Sequence, residues 1–276
     1  MKLAENDLRK AQLLMLKILK TIHKVCEEND IKYFLSDGSL IGAVRHEGFI
    51  PWDDDLDIGM LRKDYEKFLK IAQDKLGEEY FVQSEFTDKY YGLPFAKVML
   101  KNTNWFEEAA KKTKRQYSGI YIDIFPYDKI PLDKSIQIIH YRKFKFWNSL
   151  IKHKDKYLNI KSSKGFTHKA IYIFMDILSI FIPLKICIAK RNSLCKKYEY
   201  MMADFNITKY GGDFWKNQNS YKSFSELIFH RFEDSDFYIP KDYNSILTRL
   251  YGDYMQLPSV EERQSHGICE YDFGNY

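Results

Sequence analysis

The chain has 276 residues, 45% of them hydrophobic, which is enough for one large domain or a core with an elaborate insertion. Its net charge of +5 is mild. Its four cysteines (Cys26, Cys187, Cys195 and Cys269) have the spacing of neither a disulfide framework nor a zinc site, and the charged N-terminus "MKLAENDLRKAQ" has no apolar stretch of a secretory signal, so a reduced, cytoplasmic protein is expected.

Residues 4–27 place Leu8, Ile18, Ile22 and their neighbours on a helical stripe. "KYFLS" (32–36) reads as a short buried strand, and Asp37-Gly38-Ser39 as a turn leading into "SLIGAVRH", one or two helical turns. "EGFIPW" (47–52) is a loop, "DLDIGM" (55–60) alternates as a strand, and 62–76 is the next helix, with Tyr65, Phe68, Leu69 and Ala72 inward. "YFVQS" (80–84) and "LPFAKVML" (93–100) are strands, and "GIYIDIFPYD" (119–128) is a third, ended by Pro126. The pattern turns helical, basic and aromatic from 134 to 200, is ambiguous over 201–235, and gives a helix from about 241 to 251 with an extended exit. Strands with interspersed helices predict an α/β or α+β domain.

Charge is unevenly spread. Between Lys134 and Tyr200 there are 15 Lys/Arg against 3 acids, a net of +12; with +5 for the whole chain, the rest carries −7. An acidic body with a basic segment implies two surfaces with different partners. Within that segment, "AIYIFMDILSIFIPLKICIA" (170–189) is about long enough to span a bilayer, yet Asp176, Lys185 and Pro183 interrupt it. A buried helix pair and an interfacial hairpin on an anionic leaflet are the competing readings.

The chemistry concentrates in "SDGSLIGAVRHEGFIPWDDDLDIGM" (36–60), where Asp53, Asp54, Asp55 and Asp57 fall within five positions. In a strand, Asp55 and Asp57 share one face with Leu56 turned to the core. Their repulsion is removed by a divalent cation, and Mg²⁺ uses one or two carboxylates plus phosphates and water. The competing reading is a solvated acidic loop. A calcium loop counted from Asp53 fails, because it would need Gly where Ile58 stands and Glu where Asp64 stands. Asp123, an acid in the apolar strand "IYIDIF", supplies a third carboxylate; a bond to a helix N-terminus is its alternative explanation. Backbone N–H groups at Gly38-Ser39 and the Ser39 hydroxyl suit a phosphate, although alone the pair is an ordinary turn.

"LSDGSLIGAVRHEGFIPWDDDLDIGMLRKDYEKF" (35–68) closely resembles the signature of the LicD family, phosphotransferases of the nucleotidyltransferase, or DNA polymerase β-like, superfamily. The stretches at 94–128 and 239–267 are also similar to family patterns, whereas about 134–235 is not matched. The resemblance implies a nucleotidyltransferase-like mixed sheet flanked by helices. Its catalytic core would comprise 1–133 plus 236–276, with 134–235 a helical, basic insertion for membrane or acceptor. Gly38-Ser39, the pair Asp55/Asp57 and Asp123 fill the superfamily's places, and Asp53 adds a further metal ligand in fukutin-like members; Asp54 faces away. The implied reaction moves phosphocholine from CDP-choline to a sugar hydroxyl of a cell-surface glycan precursor, of teichoic acid or lipopolysaccharide type, with Mg²⁺ (or Mn²⁺). Transfer of a ribitol- or ethanolamine-type phosphate, or an inactive nucleotide-binding relative, is the alternative.

In this reading Asp123 is the base for the incoming hydroxyl, and Lys97 neutralises phosphate unless it snorkels at a sheet edge. Arg45 and His46 reach the diphosphate, or form a structural ion pair with Glu47 or an Asp. His266 holds a family-like position on the donor side. A quaternary ammonium needs aromatic faces, for which Trp52, Tyr90, Tyr91, Trp105 and Tyr121 are the candidates. An acceptor carried on a lipid pyrophosphate suits a peripheral hold on the anionic inner face of the membrane. No nucleic-acid partner is expected, although Phe144, Phe146 and Trp147 among basic residues suit base stacking.

Overall fold

The computed structural model describes residues 3–108, 117–155, 166–201, 205–263, 265 and 267–276. Helix α1 (Glu5–Glu28) buries Ala11, Met15, Ile18, Leu19, Ile22 and Cys26 along one face, and Glu5 and Asp7 complement its N-terminal dipole. Strand β1 (Phe34–Leu35) is shorter than its apolar run, because Asp37 takes a left-handed backbone (φ 50°) and turns the chain into α2 (Asp37–Ile41). A π-helical turn over Gly42–His46 follows and closes on Glu47, again left-handed (φ 51°). Strand β2 (Asp57–Leu61) starts two residues later than the alternation predicts, although the Leu56 carbonyl already accepts from the Asp123 N–H (3.0 Å). Helix α3 (Arg62–Leu76) buries Tyr65, Phe68 and Ala72, with Leu69 half-buried.

Then come β3 (Tyr80–Gln83), β4 (Ala96–Leu100), β5 (Asn104–Glu107) and the long β6 (Tyr121–Pro131). Helix α4 (Lys134–Lys154) is capped by Asp133, whose carboxylate accepts from the Ser135 and Ile136 N–H groups (2.8 and 3.0 Å). Helices α5 (Phe166–Phe181) and α6 (Leu184–Cys195) follow. The ambiguous stretch resolves into β7 (Phe205–Lys209), β8 (Asn219–Ser220), β9 (Leu227–Phe232) and β10 (Ser235–Pro240). Helix α7 (Tyr243–Tyr251) and β11 (Ile268–Asp272) complete the chain.

The main sheet runs β1-β2-β6-β4-β3, with β7 also on β6 and β8 on β7. Among the described residues only β2 and β6 pair parallel within it. This is the mixed, helix-flanked sheet expected. Two antiparallel pairs, β9–β10 and β5–β11, stand apart.

Strand β6 does not end at Pro126. On one side it pairs with β2 over 123–127; on the other, β4 covers 121–124 and β7 covers 127–131. The Asp123 N–H points to β2, so alternation aims position 126 at the gap between β4 and β7, where the missing proline N–H costs no ladder bond. Strands β7 and β8 lie within 134–235, so that stretch gives two strands to the main sheet as well as three helices.

One apolar core, under α1, α3 and the sheet, contains Met15, Leu19, Ile22, Ile58, Phe68, Val98 and Ile122. A smaller cluster of Leu150, Ile151, Met175 and Cys187 joins α4, α5 and α6. Among the described residues no single helix is long and apolar enough to cross a membrane; α5 and α6 meet at a bend of 107°.

Candidate active site

Sheet register assembles the site. Asp57 on β2 lies directly opposite Asp123 on β6, and Lys97 on β4 lies opposite the same Asp123. Cross-strand neighbours project from the same face, so the three form a row across adjacent strands. Lys97, buried mid-sheet rather than snorkelling from an edge, holds the Asp123 carboxylate at 2.8 Å and lies 3.9 Å from Glu107. Its ammonium also sits 3.3 Å from the Tyr121 ring centroid. The Tyr121 hydroxyl donates to Glu107.

This row lines a cavity of about 340 Å³ together with Asp55, Glu107 and Tyr121. Phe95, Phe125 and Ile151 give it an apolar wall. At Gly92, also on the wall, a Cβ would stand 2.5 Å from Ile151 Cγ2, so only glycine lets this loop pack on α4.

The other sequence-marked residues stand around the cavity. The Ser39 hydroxyl is buried and accepts from the Asp57 N–H (2.8 Å), which ties α2 to the start of β2. A Cβ on Gly38 would lie 2.8 Å from Asp53 Oδ2, so the glycine admits the Asp53 carboxylate beside α2. Asp53 and Asp54 do not line the cavity, and Asp54 is buried. Arg45 leaves the π-turn in another direction: its Nη1 donates to the Tyr254 and Gln256 carbonyls (2.6 and 3.3 Å) and its Nε to His46 (3.0 Å). Those carbonyls, rather than Glu47 or an aspartate, are the structural partners of Arg45. His266 lies outside the described residues. Of the five aromatics marked for choline, only Tyr121 reaches the cavity. Trp105 packs on Tyr271 and Phe273, Tyr91 is fully buried, and Trp52 carries the Arg263 guanidinium (4.2 Å).

Sequence reasoning missed two charged residues here, Lys209 and Glu107. Asp37 is ion-paired with Lys209 of β7, whose ammonium also lies 4.2 Å from the Phe125 ring centroid. Glu107 arrives on β5, held by β11. Neither carries a local signal: an isolated Lys in an ambiguous stretch and a Glu in "WFEE" look like surface residues.

Burial raises the Asp57 carboxyl well above its usual range, and Asp55, Asp37 and Asp123 push it further while Lys209 opposes them. Burial, followed by Asp37, Asp57, Asp53 and Asp55, raises the phenol of Tyr251 at the end of α7. Tyr121 is raised by burial, Glu107 and Asp123. Such opposed charges in one cleft are characteristic of sites built for reaction.

The donor set fits a hard divalent cation: carboxylates of Asp55, Asp57 and Asp123 line one cavity and repel one another. Among the described residues no three acidic, histidine or cysteine side chains close around a point unaided. A hard cation held there would complete its shell with phosphate oxygens and water.

Comparison with known proteins gives one family. Residues 30–162 match the family model described as LicD/FKTN/FKRP, nucleotidyltransferase domain. The chain is 33% identical to the lipopolysaccharide cholinephosphotransferase LicD of Haemophilus influenzae over 275 residues, 95% of this chain and 97% of that protein. It is 45% identical over 62 residues to an uncharacterized protein of Rickettsia typhi, 22% of this chain and 20% of that protein. A 40-residue stretch is 48% identical to the human ribitol 5-phosphate transferase FKRP, 14% of this chain and 8% of that protein.

Proposed function

Because the chain belongs to the LicD/FKTN/FKRP family and is a transferase, we propose that it moves phosphocholine from CDP-choline to a sugar hydroxyl of a cell-surface glycan precursor, of lipopolysaccharide or teichoic acid type. The observation that carries this reading is the row Asp57–Asp123–Lys97 on the floor of a cavity that also contains Asp55.

Asp55 and Asp57 would hold Mg²⁺ or Mn²⁺, with Asp123 beside them; when bound, the ion neutralises charge on the donor's phosphate oxygens. Asp123 accepts the proton of the attacking sugar hydroxyl, and Lys97 fixes its carboxylate for that task. Lys97 lines the cavity where phosphate charge would gather in transfer, and Lys209, paired with Asp37, adds a second positive charge behind Phe125 of its wall. Phe95, Phe125 and Tyr121 offer the aromatic faces that a quaternary ammonium prefers, and all three rings already lie close to lysine ammonium groups. Ser39 holds the backbone of Asp57, so α2 and β2 enter the site as a unit.

The acceptor, carried on a lipid, would be met at the inner face of the membrane. The test is incubation with Mg²⁺, a panel of glycolipid acceptors and CDP-choline, reading released CMP. Release with CDP-choline, abolished in Asp55→Ala, is the expected result. Similarity to the ribitol 5-phosphate transferase supports a second reading, in which CDP-ribitol alone releases CMP. Silence with every CDP compound, or full turnover in Asp55→Ala, overturns the proposal.

A further inference from the structure

Helix α5 has its polarity arranged the wrong way round for a helix facing water. Ala170, Ile173, Phe174, Ile177, Ile180 and Phe181 recur at helical spacing along one face, and all are exposed. Ile180 and Phe181, at the end of the helix, are 76% and 77% exposed. The opposite face is already occupied: Met175 packs with Leu150, Ile151 and Cys187, and Asp176 pairs with His153 of α4 (2.6 Å). Past Pro183 the chain bends by 107° into α6, where Ile186 is also exposed.

Charge frames this stripe. Lys169 stands before it, and Lys185 and Lys190 stand after it, all exposed. The one acid in residues 166–195 is Asp176, which His153 holds. Apolar side chains rimmed by lysines match the interface of an anionic bilayer, where the stripe enters the acyl boundary and the ammonium groups meet phosphate. A second copy of the chain would set the same lysines against one another, so it fits this face less well.

We propose that α5 and the start of α6 form a docking surface for an anionic lipid leaflet. This deepens the reading given above for the acceptor, and it adds a mechanical link to the site. Ile151, which packs with Met175 of α5, also lines the catalytic cavity together with Lys152. Arg191 of α6 is fully buried and donates to the carbonyls of Gly92 and Leu93 (the latter at 3.1 Å), two residues of the cavity wall. The surface that grips lipid and the wall that shapes the site are parts of one packed layer of helices.

The test sediments the full chain with vesicles made of equal phosphatidylglycerol and phosphatidylcholine, and with phosphatidylcholine alone. Low-salt affinity for the anionic vesicles is expected to exceed that for the neutral ones by about tenfold, and to weaken as salt rises. The triple variant Ile177→Ser/Ile180→Ser/Phe181→Ser loses about tenfold in vesicle affinity while melting like the parent, since it alters only exposed side chains. Lys169→Glu/Lys185→Glu loses the salt-sensitive part of binding. No substrate is present, so this result stands apart from the transferase reading, which CMP release with a water-soluble acceptor measures separately. The docking proposal is overturned if the parent ignores both vesicle types or if the triple variant binds as well as the parent. It is also overturned if light scattering finds a dimer that the triple variant dissolves.

Discussion

Asp57→Asn tests the site through stability as well as turnover. Neighbouring strands lie about 4.8 Å apart, which sets a separation of about 5 Å between the register partners Asp57 and Asp123. Like charges at that distance repel by roughly 3 kcal/mol at an effective dielectric constant of about 20. Asp55 and Asp37 add to the repulsion, while Lys209 opposes it and Lys97 holds Asp123. Removing the Asp57 charge is therefore expected to stabilise the metal-free protein by about 1–2 kcal/mol at neutral pH, a rise in Tm of a few degrees for a chain of this size. The sign follows from the titration. The folded state holds the Asp57 proton more tightly than the unfolded chain does, so wild-type stability falls as pH rises above the ordinary carboxylate range. Asn has no proton to lose, and its advantage should be larger at pH 8 than at pH 4. Thermal melts across that range, with and without Mg²⁺, read this, and CMP release reads function. Mg²⁺ should raise the wild-type Tm and leave that of the variant nearly unchanged. A variant that melts below wild type without metal, or that turns over normally, refutes the reasoning.

Two predictions concern the scaffold. Asp128 and Arg62 form a buried bidentate ion pair between β6 and α3 (2.6 and 2.8 Å), so Asp128→Asn, which leaves the guanidinium without a counter-charge, should cost about 3–5 kcal/mol by urea denaturation. The double variant Arg62→Met/Asp128→Leu should recover most of that loss; no recovery would rule out the unpaired charge as its cause. His140, bonded to the Tyr210 hydroxyl (2.6 Å), is pulled down to about 4 by burial and by Lys197 and Lys143. Its neutral form belongs to the folded state, so its contribution is complete above about pH 6.5 and is lost as pH falls towards 4. The loss should be about 1–2 kcal/mol, allowing for solvent screening. His140→Gln should flatten the melting curve against pH in that window, and an unchanged slope would contradict it.

The legible parts of the site were those with local signals. Alternation around Leu56 and an acid inside an apolar strand sufficed to bring Asp55, Asp57 and Asp123 into one cavity, and Lys97 was marked by its place mid-strand. Glu107 and Lys209 escaped notice because their positions depend on pairings made far along the chain, β5 with β11 and β6 with β7. No window of residues records such a pairing. Arg45 misled for a different reason: the π-turn shifts helical phase by a residue, and periodicity alone does not announce it. Pro126 usually ends a strand, whereas here the sheet changes partner around that residue.

The late arrival of β7 has a consequence for how the chain emerges from the ribosome. Strand β6 is complete at Pro131, but the strand that covers its outer half begins at Phe205. At roughly 5–20 residues per second, the outer half of β6 waits roughly 4–15 s for its partner. Charged Lys129 on that bare margin, with Pro126 just before it, discourages a neighbouring nascent chain from pairing there. Only when Lys209 follows does Asp37 gain its counter-charge, so every acid of the site is synthesised well before the site is electrically complete.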